Sequence, residues 1–350
     1  MTTPFVPPVE TEDLAAVGGR IGDAPEDFVV EEIPAYEPSG EGEQAYVWVE
    51  KRLQNTRDVA GHVARAAGVH IREIGYAGLK DRRAVTRQWF SLPVRSRPPS
   101  EWQLPDGVTV LAVSRHKNKL RTGHLIGNRF SLGFVDVPEG GPERARRILE
   151  RIARGGVGNY FGPQRFGRGG QNIASALAWL KDGARPPRGT DPKLLSSVLQ
   201  AEHFNRYAAR RLLDRERLLQ GDVVRLRGSG AHFVVDDAAV EQPRLDAGDL
   251  VLTGPMIGPR GLQTKDAARQ LELELADELG LSSELLERLG EHAPGTRRDL
   301  LLEPTEVSLT EPGPGRLSFS FRLPAGAYAT QLARELSRSP WDSPRSPGDG

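Results

Sequence analysis

Hydrophobic and polar positions along this chain change period several times, and each change predicts an element. Phe28-Val29-Val30 and Tyr46-Val47-Trp48-Val49 are short β-branched and aromatic runs that predict strands. From Thr56 the period lengthens: Val59, Val63 and Ala66 share one face, and Gly68 closes the predicted helix. Ile71–Ala77, Ala84–Leu92, Val108–Ser114 and Asn128–Val137 predict further strands. In the last of these, Phe130, Leu132 and Phe134 alternate onto one face. Arg144–Ala153 reads as a basic amphipathic helix. Helices are expected at Ile173–Lys181, at Pro192–Gln220 and near Ala267–Leu279. Strand-like pieces lie between them at Asp222–Leu226, His232–Val235 and Leu250–Thr253. Near the end, Leu317, Phe319, Phe321 and Leu323 alternate as a strand, Pro324-Ala325-Gly326 breaks it, and Tyr328–Leu336 predicts a closing helix.

A glycine-rich run from Gly155 to Gly170 marks a change in texture. The closing strand and helix resemble the first part of the chain in style more than the middle. We therefore expect a discontinuous domain, 1–154 with 301–336, interrupted by an insertion at 155–300. The first ten or so residues and the tail 337–350 are rich in Pro, Gly and Ser, which predicts disorder.

Composition narrows the chemistry. Cysteine is absent, which excludes disulfides, thiolate catalysis and cysteine-ligated metals. The histidines are scattered and no apolar run could span a bilayer. The amino terminus does not read as a secretory signal. A cytoplasmic protein without a metal or membrane partner is expected. The 47 basic and 47 acidic side chains cancel, yet they are segregated. Arg20 is alone among acids in residues 1–50, whereas Lys51–Arg129, Arg144–Arg154 and Arg206–Arg217 are basic. Arginine predominates, which suits planar phosphate contacts, so a polyanionic partner is expected.

The most informative segment is Gly75-Tyr76-Ala77-Gly78-Leu79-Lys80-Asp81-Arg82-Arg83-Ala84-Val85-Thr86-Arg87-Gln88. It sets one carboxylate, Asp81, on a loop between predicted strands, with Lys80, Arg82 and Arg83 beside it. Neighbouring cations favour an ionised acid and can also hold a phosphodiester backbone. The same segment also fits a surface turn whose acid only pairs with its neighbours. Further signals are Pro25–Glu32, which carries Phe28; Gly127-Asn128-Arg129-Phe130; Asn159–Gly167, which mixes aromatics, amides and arginine in what reads as a flexible loop; and Pro324–Thr330, which carries Tyr328. Taken singly, Phe28 and Phe130 fit a core as well as a stacking platform, and Asn128 fits a turn.

Together, Gly78-Leu79-Lys80-Asp81 with Ala84, Thr86 and Gln88, followed by Asn159–Gly167 and Phe204-Asn205-Arg206, resemble the TruD family of tRNA pseudouridine synthases from Pro25 to about Leu336. The resemblance implies an α+β fold: a pseudouridine-synthase core with a mixed, largely antiparallel sheet, and a family-specific inserted α+β domain. It implies that Asp81 is the catalytic aspartate and that Phe28, Asn128 and Tyr328 contact the target nucleotide. Phe130 would pack on the flipped uracil. Lys80 would bind phosphate or orient Asp81. Tyr328 stands where phenylalanine is expected. A monomer acting on uridine 13 of tRNA, with no cofactor, is implied as well.

The chemistry is consistent with this on its own terms. Conversion of uridine to pseudouridine breaks N1–C1′, rotates the uracil and joins C5 to C1′, with nothing oxidised and no group imported. One carboxylate can attack C1′ or take the C2′ proton. Ordinary glycosidases use two carboxylates, and only one acid sits in a loop of this kind here. Two competing readings are a non-catalytic RNA-binding module on the same scaffold and a metal-dependent hydrolase with an aspartate nucleophile.

Overall fold

A computed structural model describes residues 3–183, 185–186 and 191–339. The expected disorder of the tail therefore falls outside the described residues from 340 onward. The chain divides into two compact units, Asp13–Gly155 with Glu303–Gly350, and Met1–Glu12 with Gly156–Leu302.

The first unit opens with strands β1 (Arg20–Ile21), β2 (Phe28–Pro34) and β3 (Gln44–Arg52). Helix α1 (Thr56–Ala67) follows and ends on Gly68, whose φ of +68° is the left-handed conformation that favours glycine. Val59, Val63 and Ala67 line its buried face; the stripe passes through Ala67 rather than Ala66. The strand expected over Ile71–Ala77 is a 3₁₀ turn (Ile71–Glu73) and a two-residue strand, β4 (Gly75–Tyr76). The cause is local: His70 Nδ1 accepts the Arg72 N–H at 3.1 Å, and Glu73 Oε2 accepts the His70 N–H at 3.1 Å. This reciprocal cap overrides the β-branched residues. Strands β5 (Val85–Pro93), β6 (Val108–His116) and β7 (Leu125–Val135) and helix α2 (Gly141–Gly155) complete this stretch.

The chain then enters the second unit through β8 (Val157–Gly158), α3 (Gln171–Asp182) and α4 (Pro192–Leu212). It continues with β9 (Val223–Leu226), β10 (His232–Val234), α5 (Ala238–Asp246), β11 (Leu250–Met256), α6 (Asp266–Glu278), α7 (Ser283–His292), β12 (Thr296–Asp299) and β13 (Leu301–Leu302). A four-stranded sheet, in the order β10-β9-β11-β12, backs the buried helix α4. The first residues are not loose: Thr11 is fully buried, and the Phe5 N–H donates to Glu202 Oε1 at 3.0 Å within this unit.

On return to the first unit the chain adds β14 (Thr305–Gly313), β15 (Arg316–Pro324) and α8 (Ala329–Ser337). Nine strands form one sheet, with the main path β14-β15-β7-β2-β5-β3-β6. Every pairing in it is antiparallel except β2 with β5, so the expected mixed, largely antiparallel sheet of an α+β fold is what forms. Register puts Val47, Val49 and Lys51 of β3 on the same face as Thr86, Gln88 and Phe90 of β5. Val30 and Glu32 of β2 share that face, opposite Phe130 and Asn128 of β7. Phe319, Phe321 and Leu323 of β15 extend it. Helix α1 packs its Val59 and Val63 on Val47, Val49 and Phe90. Helix α2 lies against β14 and α8.

Candidate active site

The apolar face of the large sheet gives way, beside the start of α1, to a cluster of buried polar side chains. Glu32 is 3 % exposed, Lys51 0 %, Thr56 1 %, Lys80 8 % and Gln88 0 %. Polar groups taken out of water cost free energy unless they are paired, so such a cluster persists only where bonds satisfy it. Here the bonds converge on the Gly78–Asp81 loop. The Lys80 N–H donates to Thr56 Oγ1 at 2.9 Å, and Thr56 Oγ1 donates to Gln88 Oε1 at 3.0 Å. Gln88 Nε2 then donates to the Gly78 carbonyl at 3.0 Å. From below, the Lys51 ammonium donates to the carbonyls of Asp81 at 2.7 Å, Gln54 at 2.7 Å and Lys80 at 3.4 Å. Burial pulls the Lys51 amine down to about 8; the nearby Asp81 carboxylate works against that fall and the Lys80 charge adds to it.

Lys80 turns inward. Its Nζ lies 2.8 Å from Glu32 Oε2, and the side chains are only 3 % and 0 % exposed. Glu32 Oε1 also accepts the Trp89 N–H at 3.3 Å. Burial pushes the Glu32 carboxyl up, and the Lys80 ammonium opposes this. Lys80, expected to bind phosphate or to orient Asp81, thus has its ammonium paired with a buried carboxylate. Asp81 itself is half-buried, between the buried Lys80 and the exposed Arg82 and Arg83.

The register brings Phe28, Asn128 and Phe130 to the same face. Asn128 stands opposite Glu32 on the neighbouring strand, and Phe130 stands opposite Val30. The Asn128 side chain is half-buried, and its Oδ1 has no hydrogen-bond partner among the described residues. Gly127 precedes it because β15 runs so close that a Cβ there would lie 2.1 Å from the Leu323 carbonyl oxygen. Phe28 and Phe130 are 6 % and 5 % exposed. Their rings stack with centroids 6.4 Å apart, and Phe130 stacks on Phe321 at 5.6 Å. Phe130 is thus first a core ring, with little surface left for a ligand. Tyr328 is half-buried just before α8, four residues past Pro324, which pairs with Gly127. Glu32, Lys51 and Thr56 are not among the candidate residues that the motifs mark. For Glu32 and Lys51 the signal was a charged residue in core phase: Glu32 follows Phe28 and Val30, and Lys51 follows Val47 and Val49, on strands whose other in-phase residues are apolar.

The Asn159–Gly167 segment, expected as a flexible loop, is a fixed part of the second unit. The Phe161 N–H donates to Asn205 Oδ1 at 2.8 Å, and Asn205 Nδ2 donates back to the Phe161 carbonyl at 3.0 Å. Phe161 meets Phe204 edge-on at 5.7 Å, with the Arg298 guanidinium 4.4 Å from its centroid. These motif residues hold their unit together. Among the described residues, no helix is long and apolar enough to cross a membrane.

The family model for tRNA pseudouridine synthase D (TruD) matches residues 9–175 and 192–336. A curated tRNA pseudouridine synthase D from Anaeromyxobacter dehalogenans is 40 % identical over 351 aligned residues, covering 96 % of this chain and 98 % of the relative. One from Thermus thermophilus is 40 % identical over 335, covering 95 % and 92 %. A solved structure described as a putative TruD from Methanosarcina mazei superposes with a TM-score of 0.71 over 93 % of this chain and 95 % of its own, at 24 % identity, a likeness of fold. With the model spanning most of the sequence and the relatives nearly all of it, this chain belongs to the tRNA pseudouridine synthase D (TruD) family.

Proposed function

We propose that this protein isomerises uridine to pseudouridine in tRNA, at position 13, with the Asp81 carboxylate acting at the ribose. The observation that carries the reading is the buried scaffold under the Gly78–Asp81 loop. Lys51, Thr56, Gln88 and the Lys80–Glu32 pair fix that loop from several sides. A carboxylate that must meet one sugar carbon needs this kind of preorganisation, because small misplacements cost large factors in rate.

Asp81 either attacks C1′ or removes the C2′ proton; both release uracil from N1 and let it rejoin through C5. The target base must be extruded from the folded RNA, at a cost of a few kcal/mol. Asn128 has a buried amide oxygen without a partner among the described residues, which an N–H of the extruded base would satisfy. Tyr328 offers an aromatic face, and the stacked core rings of Phe28 and Phe130 back the site on its apolar side. The unit 13–155 with 303–339 is the catalytic domain in this reading, and the unit built on 156–302 is the family's insertion. No cofactor takes part, and the protein acts as a monomer.

The test is Asp81→Asn with unmodified tRNA. We expect tRNA affinity within about twofold of wild type and a loss of pseudouridine formation of roughly 10⁴-fold or more. Site-resolved mapping should place the wild-type product at position 13. Isomerisation by the variant at a normal rate would remove Asp81 from the mechanism.

A further inference from the structure

We propose that a groove beside the Asp81 loop is a binding site for one nucleotide of single-stranded RNA, holding the strand that flanks the target uridine; this rests on the tRNA-isomerase reading above. The groove has a volume of about 460 Å³. That lies within the range of roughly 300–1,000 Å³ typical of small-ligand sites. Its floor is apolar, formed by Ile74, Tyr76 and Leu120, and its rim is cationic, formed by Arg57, Lys119 and Arg121. The Tyr76 ring is fixed edge-on against Phe90, with centroids 6.0 Å apart.

The groove is continuous with the loop at two points. Arg57 directly follows Thr56, whose Oγ1 accepts the Lys80 N–H. The Gly123 N–H donates to the Ala77 carbonyl at 2.8 Å, tying the 119–122 rim to the start of the Gly78–Asp81 loop. In this proposal a strand with its target base at Asp81 lays a neighbouring nucleotide over this groove.

Charge argues for the occupant. Several cations elsewhere on this unit are neutralised: Arg87 pairs with Glu31 and Glu50, and Arg129 with Glu31 and Glu306. Arg57 and Arg121 are exposed and pair with no acid among the described residues. The Lys119 ammonium donates one hydrogen bond to the Arg72 carbonyl at 2.5 Å. Uncompensated cations above an apolar, aromatic floor match the two halves of a nucleotide, a phosphodiester and a base face. An acidic peptide would satisfy the rim and leave the floor unused.

The experiment measures direct binding of tRNA and its salt dependence for Arg57→Ala/Arg121→Ala. The control is Arg65→Ala/Arg97→Ala, which removes two exposed charges at the far end of α1. We expect the groove variant to weaken Kd on the order of tenfold and to lower the salt slope by about 2, with the control unchanged. At saturating tRNA the single-turnover rate should stay within about twofold of wild type. A groove variant whose Kd and salt slope follow the control overturns the proposal, as does one that binds normally but turns over slowly. Wild-type protein that binds tRNA and forms no pseudouridine would sink the isomerase reading instead. The binding measurement still judges the groove in that case.

Discussion

At the scale of single residues, Lys51 is the most consequential group beneath the loop. Its ammonium has three protons and faces three carbonyls, those of Gln54, Lys80 and Asp81. A neutral amine has two protons and no charge, so deprotonation loosens the grip on the loop that carries Asp81. Because burial brings this amine down to about 8 from 10.5, that loss falls within a measurable range. We expect the single-turnover rate to fall along an alkaline limb with an apparent pKa near 8. Lys51→Met should be slow at every pH and lack this limb. A limb that persists unchanged in that variant belongs to another group. The stability contribution runs the other way. Between about 8 and 10.5 the unfolded chain binds the proton that the folded protein has released, so this group's contribution to stability rises with pH. It is complete above 10.5 and absent below about 8. Activity and thermal stability should therefore diverge as pH is raised, a pattern that simple alkaline unfolding does not give.

At the scale of elements, α1 serves both packing and the site. Its apolar stripe fastens it to the sheet, and its first residue, Thr56, bridges the loop to β5. Thr56→Val keeps the shape and deletes the hydroxyl, which leaves the Lys80 N–H and Gln88 Oε1 buried without partners. The cost should be about 1–3 kcal/mol, with kcat reduced and KM for tRNA little changed. Thr56→Ser should restore both; failure of that rescue would mean that packing of the methyl group matters more than the hydrogen bonds. Such details show which parts of the fold were legible. The alternation of Phe130, Leu132 and Phe134, and of Leu317 to Leu323, was readable because each strand has one apolar face. The Asp81 loop was readable because its composition is unusual. The scaffold beneath it was not, because Glu32, Lys51 and Thr56 come from three separate elements that only the sheet register and the seating of α1 unite. Helix α4 stops at Leu212, earlier than its apolar spacing suggested. Past it, the Arg217 N–H donates to the Asp214 carbonyl at 3.2 Å in a polar turn. Helix α7 lies beyond the helix expected near Ala267–Leu279 and has its own cap, Ser282 Oγ accepting the Leu285 N–H at 3.4 Å.

At the scale of the whole molecule, the proline-rich start of the chain shows how composition can mislead. Residues 3–12 cannot bury a core of their own, which is why they read as disordered. They are held instead by partners far along the sequence. The Phe5 N–H donates to Glu202, a carboxylate that is 1 % exposed and whose carboxyl burial pushes up. Arg206 lies 3.0 Å from the same carboxylate and sets its guanidinium 5.7 Å from the Phe5 ring centroid. Glu10 pairs with Arg215 at 3.2 Å. The segment thus completes the charge balance around α4 rather than hanging from it. Deleting residues 1–12 should remove one of the two donors to Glu202 and uncover the face on which Thr11 is buried. The loss should be about 1–3 kcal/mol for the buried acid alone. Each kcal/mol corresponds to roughly 2–4 °C in Tm for a unit of this size. Amide exchange should speed up in α4 and leave β3, β5 and the Asp81 loop as they are, since Lys51, Thr56 and Gln88 hold that loop. Unchanged exchange in α4 after the deletion would show that the segment rests on its unit without supporting it.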